Sequence, residues 1–118
     1  MRLVHRPEDG DDRRPLATDV ETADGFLTRA RGLMFRRSVP DDYALVFRFD
    51  DASRRSLHMV FVPFPIDALF LVDDEVRSVT RLDAWTGLAW GEADTVVELP
   101  AGAAADVSES DTVSLVDG

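Results

Sequence analysis

Two arginines and two carboxylates have the residue types and surroundings that could form an ionic site. Arg29 and Arg36 lie in a segment with helical periodicity, whereas Asp67 and Glu98 are flanked by apolar residues. A carboxylate in an apolar strand needs a charged or multiply hydrogen-bonded partner, because burying it alone is costly. The bidentate guanidinium of Arg suits this role. We expect ion pairs that anchor the helix to the sheet; alternatively, one Arg binds an anionic ligand beside His58, or these residues do not meet.

The chemistry available to His58 depends on its partners. An imidazole can act as a general base or ligate a metal through one nitrogen. The chain has two histidines and no cysteine, and their spacing matches no zinc motif. A packed, hydrogen-bonded ring is therefore the simplest role for this histidine, and neither a metal nor a cofactor is predicted.

The residues favoured for ligand binding surround the same histidine. A loop containing Trp85 and Trp90 is too apolar to be fully solvated, and we expect it to cover the sheet or to roof a shallow pocket near His58, Met59 and Arg36. This arrangement predicts a non-catalytic binding or interaction module. Its partner is an unknown small molecule or protein.

An enzyme is the alternative function. A small hydrolase would use His58 together with Asp67 or Glu98 as its acid and base groups. No serine lies in a nucleophile-elbow context, and no glycine pattern resembles a phosphate-binding loop. We therefore assign no catalytic residue, and the two hypotheses are separable by whether His58 contacts a carboxylate in a cleft.

The charge of the chain limits the partners it can have. Asp and Glu together number 23 against 13 Arg and no Lys, which gives a formal net charge of −10. Such a surface disfavours nucleic acid and anionic membranes. An acidic, lysine-free composition is typical of proteins that function in molar salt, where charge repulsion is screened within about 3 Å.

The N-terminal residues contain no apolar targeting segment, so we expect a cytoplasmic protein, monomeric by default.

The longest apolar run, at residues 57–72, organises the predicted fold. Its two prolines and one carboxylate exclude a membrane helix and favour a strand, a corner and a second strand. Alternating segments elsewhere predict further strands, and residues 25–34 have the apolar spacing of a helix after a possible N-cap at Asp24. The prediction is one α+β domain over residues 1–118, a mostly antiparallel, barrel-like sheet with one short α-helix near residues 25–34.

Four motifs occur in the order found in the DUF192 (UPF0127) family. They are TRARGLMFR (28–36), HMVFVPFPIDALFL (58–71), VELPAG (97–102) and SDTV (110–113). The chain resembles this family over residues 23–116, in the manner of a halophilic archaeal member. The resemblance implies a compact, mostly β fold with a short helix and an undefined function.

Individual residues match or depart from the family pattern. The matching residues are Arg29, Gly32, Leu33, Met34, Arg36, Met59, Asp67, Glu98 and Gly102. The departures are His58 in place of Trp, Val60 and Phe61 in place of Lys-Asn, and Ser110 in place of Gly. Any family site that depends on the Lys-Asn pair is therefore altered in this chain.

Overall fold

The computed structural model describes residues 1–10, 12–23 and 33–117 of the chain. These residues form an eight-stranded sheet with the order β2-β1-β8-β6-β5-β7-β4-β3. The strands are β1 (Arg2–Arg6), β2 (Arg14–Ala17), β3 (Asp19–Thr22), β4 (Tyr43–His58), β5 (Ile66–Val72), β6 (Glu75–Leu82), β7 (Leu88–Pro100) and β8 (Thr112–Val116). Every pairing except the parallel contact of β3 with β4 is antiparallel, which confirms the mostly antiparallel prediction.

The sheet is open, so the prediction of a barrel-like sheet is wrong. Strands β2 and β3 form its two edges, although only Thr18 separates them in the chain. The sheet therefore curls until its edges approach each other, but no described pairing joins β2 to β3. The backbone N–H groups of Thr18 and Asp19 both donate to the carbonyl of Asp42, which directs the chain into the parallel pairing with β4.

The α-helical part of the prediction has no support in the described residues. The predicted helix at residues 25–34 lies outside them, apart from Leu33 and Met34, which form a turn. Arg36 N–H donates to the Leu33 carbonyl over three residues, and Phe35 has a φ of 69°. A positive φ cannot continue an α-helix. The part of the chain that the structure describes is therefore all β, and it contains no helix that could span a membrane.

The apolar run at residues 57–72 folds as a strand, a corner and a strand, as its prolines predict. Strand β4 ends at His58, and β5 begins at Ile66. β5 lies between β6 and β7 and alternates its side chains between two apolar clusters. We call them face A, which contains Leu45, Ala68 and Phe70, and face B, which contains Leu3, Leu69, Leu71 and Val97.

The turn between β5 and β6 explains a pair of acidic residues. Asp73 and Asp74 have φ values of 51° and 66°, as a two-residue hairpin turn with two left-handed positions requires. Asp tolerates this conformation better than most residues do. The acidic pair therefore connects the end of β5 to the start of β6.

Candidate functional site

Three exposed aromatic residues lie on adjoining turns at one end of the sheet. Phe35 and Phe61 stack with ring centroids 4.9 Å apart, and Phe35 N–H donates to the Phe61 carbonyl over 2.8 Å. Trp85 N–H donates to the Val62 carbonyl over 3.0 Å, which joins the third turn to the second. We call Phe35, Phe61 and Trp85 the aromatic surface. Phe35 is 62% exposed and Trp85 is 56% exposed, so much of each residue faces solvent.

All three residues of the aromatic surface have left-handed backbone. Their φ values are 69° for Phe35, 61° for Phe61 and 67° for Trp85. Phe35 is the third residue of a turn closed by the hydrogen bond from Arg36 N–H to the Leu33 carbonyl. Phe61 is the third residue of a turn closed by the hydrogen bond from Val62 N–H to the Met59 carbonyl. Glycine or asparagine is normally found at that position.

The turn at Trp85 is tighter than the other two. Thr86 N–H donates to the Ala84 carbonyl over 2.8 Å, across Trp85 alone, which is the rare γ-turn with a positive φ. A bulky residue in left-handed backbone costs about 1 kcal/mol or more. The three turns therefore keep large aromatic rings at positions where backbone energetics favour glycine or asparagine.

Strands β4 and β7 extend the apolar surface beyond these turns. His58 pairs with Leu88, and Ser56 pairs with Trp90, on the outward side of the two-stranded extension. Leu88 and Trp90 are both about half exposed, and His58 is exposed as well. Trp85 and Trp90 each have more than half of their surface in solvent, so neither is a fully buried cover of the sheet and both can contact a partner.

Met59 lies beneath this surface instead of on it. Its side chain is buried in face A, and its N–H donates to the Gly87 carbonyl over 3.0 Å. A Cβ at Gly87 would lie 2.8 Å from Met59 Cγ and 2.8 Å from the Asp83 carbonyl oxygen. Gly87 therefore permits the close approach that holds the Trp85 turn against the core.

Arg36 belongs to a polar cluster beside the aromatic surface. Its Nη1 lies 3.1 Å from Glu21 Oε1 and donates to the Tyr43 hydroxyl over 2.9 Å, while that hydroxyl donates to Glu21 over 2.7 Å. The hydrogen bonds from Tyr43 and Arg36 hold the pKa of Glu21 below its usual range. Burial and the Glu21 hydrogen bond raise the pKa of Tyr43. Arg36 is thus paired with Glu21 at a partly exposed position beside Tyr43, and the expected pair with Asp67 is not formed.

Glu98 points into face A between its cross-strand neighbours Leu45 and Ala68. Its Oε1 is buried and has no hydrogen-bond partner among the described residues. Burial raises the pKa of this carboxyl to about 7, and the charge of Arg36 opposes the rise only in part. The prediction that Glu98 forms an anchoring ion pair is therefore wrong. No described cation contacts its carboxylate closely enough to compensate for the lost hydration.

Asp67 points to the opposite face of the sheet. Its Oδ1 accepts a hydrogen bond from Nε of Arg81, its cross-strand neighbour on β6, and its Oδ2 accepts from the N–H groups of Gly102 and Ala104, each over 3.0 Å. Residues 67 and 98 therefore cannot form one constellation, because neighbouring strand positions alternate between faces. Asp67 fixes the turn after β7, and Arg29, its other predicted partner, lies outside the described residues.

The hydrolase hypothesis finds no support in this geometry. His58 is exposed, and its Nδ1 accepts a hydrogen bond from Val60 N–H over 3.3 Å. No carboxylate of the described residues forms an ion pair with it. Asp67 is bonded to Arg81, Gly102 and Ala104 instead, and no described hydrogen bond or ion pair joins Glu98 to His58, so neither predicted acid-base pair is observed. Among the described residues no group of acidic and histidine side chains is arranged to hold a metal.

The sequence interpretation missed the outer residues of the aromatic surface. Phe61 was noted only as a departure from the Lys-Asn of the DUF192 pattern. Asparagine tolerates left-handed backbone, so the family's residue at this position already indicated a positive φ. Phe35 follows the Gly-Leu-Met motif and carried no comparable signal.

Comparisons with known proteins agree with an open, mostly β domain of undefined activity. A solved structure from Sinorhizobium meliloti 1021, provisionally named as a transcription regulator, superposes with a TM-score of 0.82 at 26% identity, covering 96% of this chain and 91% of that one. A protein of unknown function from Novosphingobium aromaticivorans DSM 12444 superposes with a TM-score of 0.82 at 22% identity, over 98% and 84% of the two chains.

The family assignment rests on sequence. The DUF192 family model, described as "Uncharacterized ACR", matches residues 8–115, so the chain belongs to the DUF192 family. UPF0127 proteins from Thermococcus sibiricus and Thermococcus gammatolerans are 38% identical over 87 residues and 34% identical over 103 residues. These matches cover 70% and 80% of this chain, but only 55% and 65% of the respective relatives.

Proposed function

We propose that this chain is an interaction module that binds a protein partner through the aromatic surface. The observation that carries the proposal is the left-handed backbone of Phe35, Phe61 and Trp85, since each of these exposed aromatic residues occupies a backbone conformation that is costly for it. At about 150–250 Å² per aromatic side chain, the exposed parts present on the order of 300 Å². Apolar patches of this size on a monomer are commonly binding sites.

The predicted ligand-binding residues take defined places in this proposal. Trp90 and Leu88 extend the apolar area along β7, and His58 lies across from Leu88 at its margin. Arg36 follows Phe35 directly and places a cation, partly neutralised by Glu21, beside the rings. Aromatic residues and arginine are the residue types that dominate binding energy at protein interfaces.

Charge selects the kind of partner. Two copies of a chain with a net charge of −10 repel each other, and the same charge disfavours binding to DNA or RNA phosphates. A partner with basic residues around apolar anchor side chains is complementary to this chain, and ion pairs at contact distance persist in salt that screens the longer-range repulsion. We therefore propose a basic protein segment as the occupant of the aromatic surface.

The proposal is tested with a displayed peptide library. Peptides are selected on the wild type and counter-selected on a Phe35→Asn/Phe61→Asn double variant, in which the rings are removed and the left-handed backbone is kept. Enriched peptides should combine Lys or Arg with apolar residues, and should bind the double variant at least about tenfold more weakly, as expected for lost hot-spot residues. Absence of enrichment, or equal binding to both proteins, would contradict the proposal.

Measurements of unfolding free energy and of tryptophan fluorescence distinguish a loss of peptide binding from a loss of folding in the double variant. The double variant loses ring stacking worth about 0.5–1.5 kcal/mol but relieves two strained positions of about 1 kcal/mol each, so its unfolding free energy should stay within about 1 kcal/mol of the wild type. In a Trp90→Phe background, Trp85 is the only tryptophan, and a selected peptide should shift its emission to the blue. A wild-type dimer that the double variant dissociates would instead assign the surface to self-association.

We further propose that the protein functions in the cytoplasm at high salt. The excess of Asp and Glu over Arg and the absence of Lys support this proposal. Screening of repulsion between like charges should raise the thermal unfolding midpoint progressively between 0.1 and about 2 M KCl. A midpoint that is independent of KCl in this range would argue against adaptation to salt.

A further inference from the structure

Strand β7 is longer than its neighbour β5, so part of β7 has a partner strand on one side only. β5 pairs with residues 95–100 of β7. Residues 88–93 pair with β4 on the opposite side. No described strand pairs with residues 88–93 on the side where β5 would lie. We call residues 88–92 of β7, on that side, the open edge.

The hydrogen bonding between β7 and β4 determines which backbone groups point to the open edge. Met59 N–H donates to the Gly87 carbonyl over 3.0 Å, directly beyond the pair of His58 with Leu88. That pair is therefore a non-hydrogen-bonded one, and the unbroken register over residues 88–93 makes every second pair the same type. The N–H and C=O groups of residues 88, 90 and 92 consequently point away from β4, and no described hydrogen bond engages them.

The open edge lacks the features that protect the edges formed by β2 and β3. β2 carries Arg14 and Pro15, and β3 carries Asp19 and Glu21. Proline and charged residues at an edge discourage the pairing of a further strand. The open edge has the sequence LAWGE, with a half-exposed leucine and tryptophan and a single charge. Its composition therefore permits an added strand.

Carboxylates lie where the open edge ends. Asp73 N–H donates to Asp94 Oδ2 over 3.0 Å, which places the turn between β5 and β6 beside β7 just past residue 92. Asp73, Asp74 and Asp94 line one shallow concavity there, against one guanidinium from Arg48. Glu92 is exposed and forms no ion pair with another described residue. A strand at the open edge would thus meet apolar side chains at one end and an excess of negative charge at the other.

We propose that the partner of the aromatic surface binds as an extended basic segment that adds one strand to β7 at the open edge. Its backbone exchanges hydrogen bonds with residues 88, 90 and 92. Its apolar side chains lie beside Leu88 and Trp90, and a Lys or Arg contacts the carboxylates near Asp94. The binding mode rests on the proposed interaction function, since it gives the same partner a defined backbone conformation. A second copy of the chain is a poor occupant, because both copies carry a net charge of −10.

The test is hydrogen exchange by NMR on the ¹⁵N-labelled full chain, with the blocked peptide KVRVKV as the probe. In the free protein, the amides of residues 88, 90 and 92 should exchange at least about tenfold faster than those of residues 89 and 91, which bond to β4. Saturating peptide should slow exchange at the edge amides by at least about tenfold and leave residues 89 and 91 unchanged.

Two outcomes of this titration would overturn strand addition. One is binding of the peptide without protection of the edge amides, and the other is no binding of the peptide at all. The displayed library tests the proposed function independently, because it imposes no backbone conformation on the selected peptides. Enrichment in the library without edge protection would therefore reject the binding mode and retain the interaction function.

Modified peptides distinguish backbone pairing from side-chain contact. N-methylation of alternate peptide residues gives two sets, and only one set has its N–H groups directed at β7. Methylation of that set should weaken binding by at least about tenfold, whereas methylation of the other set should change it by less than about twofold. Equal effects of the two sets would contradict pairing with the open edge.

A protein variant removes one edge donor. Glu92→Pro deletes an N–H group that bonds to nothing in the free protein, so the fold should be retained, and Glu92→Gln controls for the lost charge. Glu92→Pro should bind the peptide at least about fivefold more weakly than Glu92→Gln. Equal binding by the two folded variants would overturn the proposal, and the methylated peptides decide the question if Glu92→Pro does not fold.

Discussion

Replacement of Glu98 by glutamine is expected to stabilise the protein by about 2 to 3 kcal/mol at pH 8. The carboxyl is buried in face A with a pKa raised from 4.5 to about 7, because burial disfavours its ionised form. Each unit of pKa difference between folded and unfolded states corresponds to about 1.4 kcal/mol. Glutamine keeps the size and polarity of the side chain but cannot ionise, so it removes this cost.

The sign of the pH dependence distinguishes ionisation from packing. A raised folded-state pKa means that the folded protein binds the proton more tightly, so full stability is present below pH 4.5 and is lost as the pH rises through about 7. Urea unfolding at intervals between pH 4.5 and pH 8 should show a growing difference between Glu98→Gln and the wild type. An exposed control, Glu109→Gln, should show no such growth, and a constant difference for Glu98→Gln would disprove buried ionisation.

Substitution of Asp67 by alanine is expected to destabilise the protein by about 3 kcal/mol. The carboxylate is buried and accepts from Gly102 N–H, Ala104 N–H and the Arg81 side chain. Its removal leaves the buried N–H group of Ala104 without its acceptor, which costs about 1–3 kcal/mol, and it also removes the hydrogen bond to the exposed Gly102, whose N–H group can regain water. Arg81 is half exposed and can regain water, so its share of the loss is small.

Two companion variants identify the mechanism of this loss. Asp67→Asn keeps one acceptor oxygen and should retain part of the stability, whereas the exposed control Asp41→Ala should stay within about 0.5 kcal/mol of the wild type. Thermal or urea unfolding at fixed salt measures all three. Equal unfolding free energies for Asp67→Ala and Asp41→Ala would show that Asp67 does not hold the turn after β7.

The two largest expected effects on stability come from Asp67 and Glu98, which the sequence analysis placed in one ionic site. Asp67 and Glu98 were both recognised as carboxylates in apolar strands, and both are buried. Their partners were not predictable, because the register of β5 against β6 and β7 decides which face each side chain meets. Asp67 accepts hydrogen bonds from two backbone N–H groups and from an arginine, whereas Glu98 is surrounded by the apolar side chains of face A.

The strand pattern was predictable where alternation was strong. Alternation with a period of two predicted residues 43–49 of β4, the whole of β6 and the whole of β8, and the apolar run with its prolines predicted β5. Residues 50–55 were expected to form a charged turn, but β4 continues through them to His58. Residues 16–21 also alternate, with Leu16, Thr18 and Val20 on one side, which predicts a single strand. It is divided at Thr18 between the two edges of the sheet, because Asp42 captures the N–H groups of Thr18 and Asp19.

The candidate sites were only partly visible in the sequence. Trp85 and Trp90 were selected for their apolar size, but their exposure depends on the turns and on the outward side of the β4–β7 extension. Phe35 joins Phe61 only because a hydrogen bond links two distant turns.

By itself, the sequence determined the DUF192 membership, the formal net charge of −10, most of the strands and the burial of the carboxylates at positions 67 and 98. These properties follow from composition, from motif order and from periodicity, which are local. Tertiary structure alone decided the partners of those carboxylates and the exposure of the aromatic surface. Each of these depends on strand register and on the side chains opposite, so no local pattern of residues encodes it.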